Sequence, residues 1–373
     1  MKKMLHDLWN MKVQFIAVLL MSFFTVFLYT GLEGVWFGMT DYSEEWLDKS
    51  NTADAWVQGY AMDKDDIQKV KNLDNIENVQ AVSSITAEMP FEEKYAQLLL
   101  MASSKNDISI PATIEGDEYQ PNSKGIWLYQ DFAKKHEIAV GDTVKMEYDG
   151  HSCQFEVRGL VLSPEYFSYT GSSVTISPNH SQYGYGYISL DSMQELTGSV
   201  PSYNQIKIRY QEQWDADKEV YVDIDGKATD QVRSGIEQEL GNKYVGYSDR
   251  SDFRGISNFT DKFKQLRSMT VLFAVVLTLL AVLTIQTTMK RMIETQRIQI
   301  GTLKALGYQN WKIRLHYLFY GFWVSLIGGA LGLFIAPLTI SRALLSLQKD
   351  FYSLPEWNVR NSLISPILLA GVV

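Results

Sequence analysis

The sequence predicts a membrane protein: α-helical transmembrane segments plus a large, two-lobed α+β extracytoplasmic domain inserted between the first and second spans. Three observations carry this. Apolar residues gather in a few charge-free windows, acidic and basic residues are segregated along the chain, and the acidic part alternates strand and helix patterns.

The first window runs from Val13 to Gly31 (VQFIAVLLMSFFTVFLYTG), the second from Ser268 to Met289, the third from Leu315 to Ser341. Each reaches the roughly 20 residues a helix needs to cross ~30 Å of hydrocarbon. A fourth, Ser362 to Val373, stops after twelve residues. It is expected to be the start of a span cut short, and the chain a part of something longer. The first window exceeds the ~7–15 apolar residues of a signal peptide and lacks an A-x-A cleavage pattern after it, so it is expected to stay as an anchor.

Charge sets the orientation. Residues 38–262 hold 20 Lys plus Arg against 38 Asp plus Glu, a net of −18; the remainder carries +9. Basic residues in short flanking loops mark the cytoplasmic side. Lys2, Lys3 and Lys12 precede the first span, and the loop after the second holds Lys290, Arg291, Arg297, Lys304, Lys312 and Arg314 against one acid, Glu294. The expected layout is a cytoplasmic segment 1–12, transmembrane helix 13–37, extracytoplasmic domain 38–262, a stalk with the second helix 263–289, and a cytoplasmic loop 290–314. The third helix follows at 315–340, then an outer loop 341–361 and the beginning of a fourth helix at 362–373. The acidity of the outer block argues against nucleic acid as a partner. Cys153, the single cysteine, has no partner for an internal disulfide, so the outer domain must rest on its core.

Within the outer block, Asp63 is placed to cap a helix bearing Ile67, Val70 and Leu73. Val79–Met89 and Tyr95–Ser103 read as strands, and Asp131–His136 as a short helix. Val144, Met146 and Tyr148 line one face of a strand, Asp149-Gly150 is a hairpin turn, and Phe155, Val157 and Gly159 return. Tyr187–Ser189 and Gln205–Tyr210 read as strands, Asp191–Leu196 and Thr229–Leu240 as helices. From about Asp252 a helical pattern passes into the second window with no proline before Pro337. One rigid helix is therefore expected to run from the outer domain into the membrane.

Enzyme motifs are absent. His136-Glu137 is followed by Val140 rather than the second histidine of a zinc pair, and no G-x-S-x-G elbow or phosphate-cradling G-x-x-x-x-G-K-[ST] loop occurs. No catalytic or metal site is expected, and any ATP must be handled by another chain. Tyr183-Gly-Tyr-Gly-Tyr187, with Tyr166, Phe167 and Tyr169, reads either as an aromatic binding surface or, more simply, as filling of strand faces and turns. Gly328 and Gly332 permit close helix approach, within one chain or between two.

The basic loop is the most informative stretch. Ile300, Leu303 and Leu306 suggest an apolar stripe on a short helix, Gly307 is placed to end it, and Lys304 suits its negative end. Gly301 stands mid-helix, where glycine costs about 1 kcal/mol against alanine; a partner pressed against it accounts for its presence.

These residues resemble a family. Arg297-x-Gln299-Ile300-Gly301-x-Leu303-Lys304-Ala305-Leu306-Gly307 is similar to the R-x-E-I-G-x-L-[KR]-A-[LIM]-G signature of FtsX-like (MacB-type) ABC transporter permeases. Ile76-Glu-Asn-Val79, Ile114-Glu-Gly-Asp117, Ala133…Val140-Gly-Asp-Thr-Val144 and Val157-Arg-Gly-Leu-Val161 are similar, in order, to that family's extracytoplasmic core domain. Gln299 departs from the usual Glu and removes the charge an ionic contact there would use.

The resemblance implies a multi-pass permease subunit of a bacterial plasma membrane, amino terminus inside, doing mechanical work on lipid, lipoprotein or peptide, or on a cell-wall hydrolase. A separate ABC ATPase, carrying ATP and Mg, would clasp Glu294, Arg297, Gln299, Ile300, Gly301, Leu303, Lys304, Ala305, Gly307 and Tyr308. No cofactor is expected on this chain. A second permease copy or second half, membrane lipid, and room for an extracytoplasmic protein or peptide partner complete the expected company. The alternative is a membrane-anchored receptor signalling inward without ATP, for which the cytoplasmic segments offer no output module.

Overall fold

The computed structural model describes residues 12–91, 94–171, 175, 177–215, 220–222, 224–362 and 364–372. Lys2 and Lys3, expected to set the orientation of the first span, lie outside the described residues. The chain runs α1 (Lys12–Lys49), β1 (Ala55–Met62), α2 (Lys64–Lys71), β2 (Ile76–Phe91), β3 (Lys94–Ala102), β4 (Ala112–Gly116), β5 (Ile126–Tyr129), α3 (Gln130–Lys135), β6 (Thr143–Tyr148), β7 (His151–Leu162) and β8 (Tyr183–Ile188). It continues through α4 (Leu190–Thr197), β9 (Tyr203–Tyr210), β10 (Gln213–Asp215), β11 (Val220–Val222), α5 (Gly226–Leu240), β12 (Tyr244–Asp249), α6 (Arg254–Thr295), α7 (Arg297–Ala305), α8 (Asn310–Ile335), α9 (Ile340–Gln348) and α10 (Ile364–Val372).

Three helical stretches among the described residues are long and apolar enough to cross a membrane: Phe15–Lys49, Arg254–Thr295 and Gly321–Gln348. Each of them runs past an end of its expected span, the third through α9 to Gln348. Nothing in residues 38–48 breaks a helix, so α1 continues to Lys49, which pairs with Glu45 one turn back at 2.6 Å. The unbroken pattern through 252–289 becomes α6, 42 residues without interruption.

The chain forms two compact units. A sheet unit comprises Ser43–Thr260 and Lys349–Glu356; a helical unit comprises the chain up to Tyr42, Asp261–Gln348 and the part from Trp357 on. The sequence predicts an outer loop over 341–361. Instead α9 occupies its first part and Lys349–Glu356 joins the sheet unit. These eight residues, KDFYSLPE, carry no strand or helix period, so only packing locates them.

The sheet unit is built on a ten-stranded sheet in the order β12-β1-β9-β2-β3-β8-β5-β7-β4, with β6 bridging β2 and β7. The pairs β3–β8 and β5–β7 are parallel and the others antiparallel. Strand β2 pairs with β9 through Ile76–Val82 and with β3 through Ser83–Phe91. The two lobes expected from the sequence thus share one strand and one continuous sheet. On the first lobe, α2 and α5 cover the sheet: Val70, Val232, Ile236 and Leu240 close over Val57, Val79, Ile206 and Ile208. Asp63 caps α2 as expected, in a capping box with Asp66 that Lys243 also engages. Asp149 and Gly150, both at positive φ, turn β6 into β7.

The Tyr-Gly-Tyr-Gly-Tyr motif is β8, and its rings are interior. Tyr185 and Tyr187 are buried, Tyr129 stacks on Tyr185 at 4.4 Å, and Tyr166 lies 5.3 Å away. The alternating glycines have a packing reason. A side chain at Gly184 would strike the Phe132 ring, and one at Gly186 would crowd Ile126. The simpler of the two sequence readings, filling of strand faces, describes this motif.

At the centre lies a buried ion pair. Lys207 Nζ on β9 donates to Glu165 Oε1 at 2.8 Å, with 2% and 0% of the two side chains exposed, and Trp56 Nε1 donates to the same oxygen at 2.8 Å. Removing one member of such a pair strands a charge in the interior, a loss of about 3–5 kcal/mol. Lys207→Met should therefore lower the thermal midpoint of the full chain steeply. Adding Glu165→Gln, which keeps an acceptor for Trp56 and removes the stranded charge, should restore most of it. A double variant no more stable than the single one would show that the pair does not anchor this core.

Candidate functional site

The basic loop is a helical hairpin in the helical unit. Helix α6 ends at Thr295, Gln296 turns the chain, and α7 begins at Arg297. Its end is a Schellman motif. Gly307, at φ 84°, donates to the Lys304 carbonyl at 3.0 Å, and Tyr308 donates to the Leu303 carbonyl at 3.1 Å. Gly307 thus holds the left-handed position read from the sequence, and α8 can start at Asn310.

The helix has two faces. Ile300 and Leu303 turn inward, packing against a cluster of Phe15, Val18, Met292, Ile313 and Val324. Glu294, Arg297, Gln299, Gly301, Lys304, Ala305 and Tyr308 are all exposed. Leu306, read as part of the inward stripe, is 71% exposed. It sits at the helix cap, where the chain is already leaving the helical period. Ile298, missed by the sequence reading, is 86% exposed, and it shares a face with Gly301 and Ala305 by their spacing of three and four residues. That spacing was the available signal. Among the described residues a side chain at Gly301 would meet nothing within 4 Å, so packing among them gives no reason for the glycine.

Gly328 and Gly332 have such a reason. A Cβ at Gly328 would lie 2.5 Å from the Leu19 carbonyl oxygen, and one at Gly332 2.8 Å from the Phe23 oxygen and the Phe27 nitrogen. They seat α8 on α1 within one chain. Helix α1 carries its own glycine stripe, Gly31, Gly34 and Gly38, which meets Ile340, Asn361 and the backbone of Arg360. Ser341 Oγ donates to the Gly31 carbonyl at 3.0 Å and Asn361 Nδ2 to that of Thr30 at 2.7 Å, while Arg360 pairs with Asp41 at 2.5 Å.

The sheet unit contains a second constellation, around the loop from Ser163 to Phe167. The Glu165–Lys207 pair fixes this loop from below, and Ser163 N–H donates to the Tyr185 hydroxyl at 2.9 Å. Phe167, fully buried, lies 5.2 Å from the Trp46 ring at the end of α1 and 4.6 Å from Phe259 in the first turns of α6. Its N–H donates to the Gly255 carbonyl at 3.1 Å, and its carbonyl accepts from Ser353 N–H at 2.8 Å. A Cβ on Gly255 would come 2.0 Å from the Glu165 carbonyl oxygen, so the start of α6 lies directly on this loop. Burial, and then the nearby Asp131 charge, push the Tyr129 phenol well above its ordinary pKa, which keeps it a neutral hydroxyl beside Ser353.

Together these features describe a chain with a large folded unit inserted, in sequence, between helices long and apolar enough to cross a membrane. Residues 271–372 match the family described as FtsX-like permease C-terminal. That match covers the apolar helices from the second onward and leaves Ser43–Thr260 of the sheet unit outside it. Compared with curated proteins, the chain finds no match. Among solved structures it is similar to the extracellular domain of the noncanonic ABC-type transporter YknZ from Gram-positive bacteria. That likeness has 13% identity over 52% of this chain and 98% of that one, with a TM-score of 0.33. It is also similar to the periplasmic region of MacB from Actinobacillus actinomycetemcomitans, at 11% identity over 59% and 95%, with a TM-score of 0.34. Both likenesses are too distant to carry a functional argument.

The two kinds of glycine should respond oppositely to substitution. Gly332→Leu must push α8 off α1 and should lower the thermal midpoint of the detergent-solubilised chain. Gly301→Ala fills open space and gains helix propensity of about 1 kcal/mol, so it should leave the midpoint unchanged or raise it. A destabilised Gly301→Ala chain would mean that the glycine serves the fold after all.

Proposed function

We propose that this chain is the permease subunit of an ABC transporter whose separate ATPase grips the α6–α7–α8 hairpin from the cytoplasm. The observation that carries the reading is the outward face of α7. Ile298, Gly301 and Ala305 offer an apolar strip with no occupant from the described chain, flanked by the exposed cations Arg297 and Lys304. A glycine that costs helix stability and meets no neighbour among the described residues suits a surface that another protein approaches closely. In this reading ATP and Mg belong to the partner, and the sheet unit lies outside the cell.

Closure of the ATPase would shift the hairpin, and α6, one helix from Arg254 to Thr295, would pass the displacement to the sheet unit. An unbroken hydrogen-bonded helix resists bending at kink sites it does not have. Such a device moves an external domain without requiring a pore. The work done there fits extraction or export of lipid, lipoprotein or peptide, or control of a cell-wall hydrolase.

Gly301→Trp should abolish co-purification with the cognate ATPase while the chain still inserts. Arg297→Glu should weaken it less, because an exposed ion pair contributes little. Wild-type binding and wild-type stimulation of ATP turnover by both variants would reduce the hairpin to a topology signal. Orientation is checked separately, with single cysteines in a Cys153→Ser background. Thr302→Cys should be shielded from an impermeant reagent in intact cells and Asp149→Cys labelled; the reverse pattern would invert the arrangement.

A further inference from the structure

Between two stretches of the helical unit, the chain sends Lys349–Glu356 into the sheet unit. A connection of this length needs no fixed seat, since surface loops bridge helices while remaining solvated. This one is seated. Ser353 and Leu354 are each 5% exposed. Ser353 Oγ donates to Asp131 Oδ2 and lies 2.6 Å from the Tyr129 hydroxyl, while Ser353 N–H donates to the Phe167 carbonyl at 2.8 Å. The Tyr352 ring stands edge-on to Phe259 at 5.1 Å. Polar groups are buried without loss only where their hydrogen bonds are satisfied, so a buried serine with three partners marks one defined position for the segment.

The partners are as informative as the bonds. Phe167 also receives the end of α1 through Trp46 and the start of α6 through Gly255 and Phe259. Every chain segment that enters the sheet unit from an apolar helix thus converges on one short loop, itself anchored by a buried ion pair. We infer that Lys349–Glu356 is a strap, fastened at Ser353, through which displacement of α8 and α9 reaches the sheet unit in addition to the paths along α1 and α6. Ser353, Tyr129 and Asp131 are its positioning residues. The inference rests on the reading that the helical unit moves when a partner ATPase turns over.

The test uses the full chain with its ATPase in nanodiscs, in a Cys153→Ser background. Spin labels replace Val245 in the sheet unit and Leu347 in the helical unit, exposed by 69% and 62%. The distance between them is measured with and without ATP plus vanadate. One variant combines Tyr129→Phe with Ser353→Ala; a second replaces residues 352–354 by Gly-Ser-Gly, in case losing the hydroxyls alone leaves the segment seated. Amide exchange across 350–356 should accelerate about tenfold once the seat is lost. ATPase binding and ATP turnover should be retained, whereas the nucleotide-driven change in distance should largely disappear. A change of wild-type size in a variant whose strap exchanges freely overturns the inference. So does an unmodified chain that binds and stimulates the ATPase yet shows no change in distance. An unmodified chain that fails to bind the ATPase defeats the permease reading first, and the strap with it.

Discussion

The buried pair of Glu165 and Lys207 is the constraint on which the sheet unit turns. Two opposite charges share the interior with the Trp56 indole, and the low polarity around them makes their geometry expensive to disturb. Glu165 belongs to no strand or helix. It belongs to the loop that, two residues later, presents Phe167 to Trp46, Gly255, Phe259 and Ser353. A loop held only by its own turn would move independently of the sheet. Tied to β9 by a buried charge, it becomes an extension of the sheet, and whatever grips it is gripped by the whole unit.

Glycine does different work at different positions, and the distinction is steric. At Gly255, Gly328 and Gly332, backbone atoms of a neighbouring segment occupy the place where a Cβ would stand. Those glycines are explained inside the chain. At Gly301 the same construction meets open space, although helix propensity disfavours glycine there. The proposed partner contact rests on this cost rather than on the basic residues around it, which by themselves would serve orientation equally well.

The sequence by itself determined the features that depend on local chemistry or on a period. The continuous α6, the Asp63 capping box, the Asp149-Gly150 turn and the glycine stop of α7 all follow from neighbours in the chain and stand where the residues predict, whereas the apolar windows mark where long helices form but not where they end. The inward pair Ile300 and Leu303 is legible for the same reason, and the spacing of Ile298, Gly301 and Ala305 marks the opposite, exposed face.

Tertiary structure alone decided the rest. Strands β1 and β5 went unread because Ala55–Met62 contains Gly59 and an irregular register, and Ile126–Tyr129 is buried on both faces with no alternation to detect. The partner of Lys207 could not be named from a list of acids, nor the seat of Ser353 from an aperiodic loop. Both contacts join residues far apart in the chain, and no local spacing encodes which buried charge or hydroxyl another will meet once the sheet has closed around them.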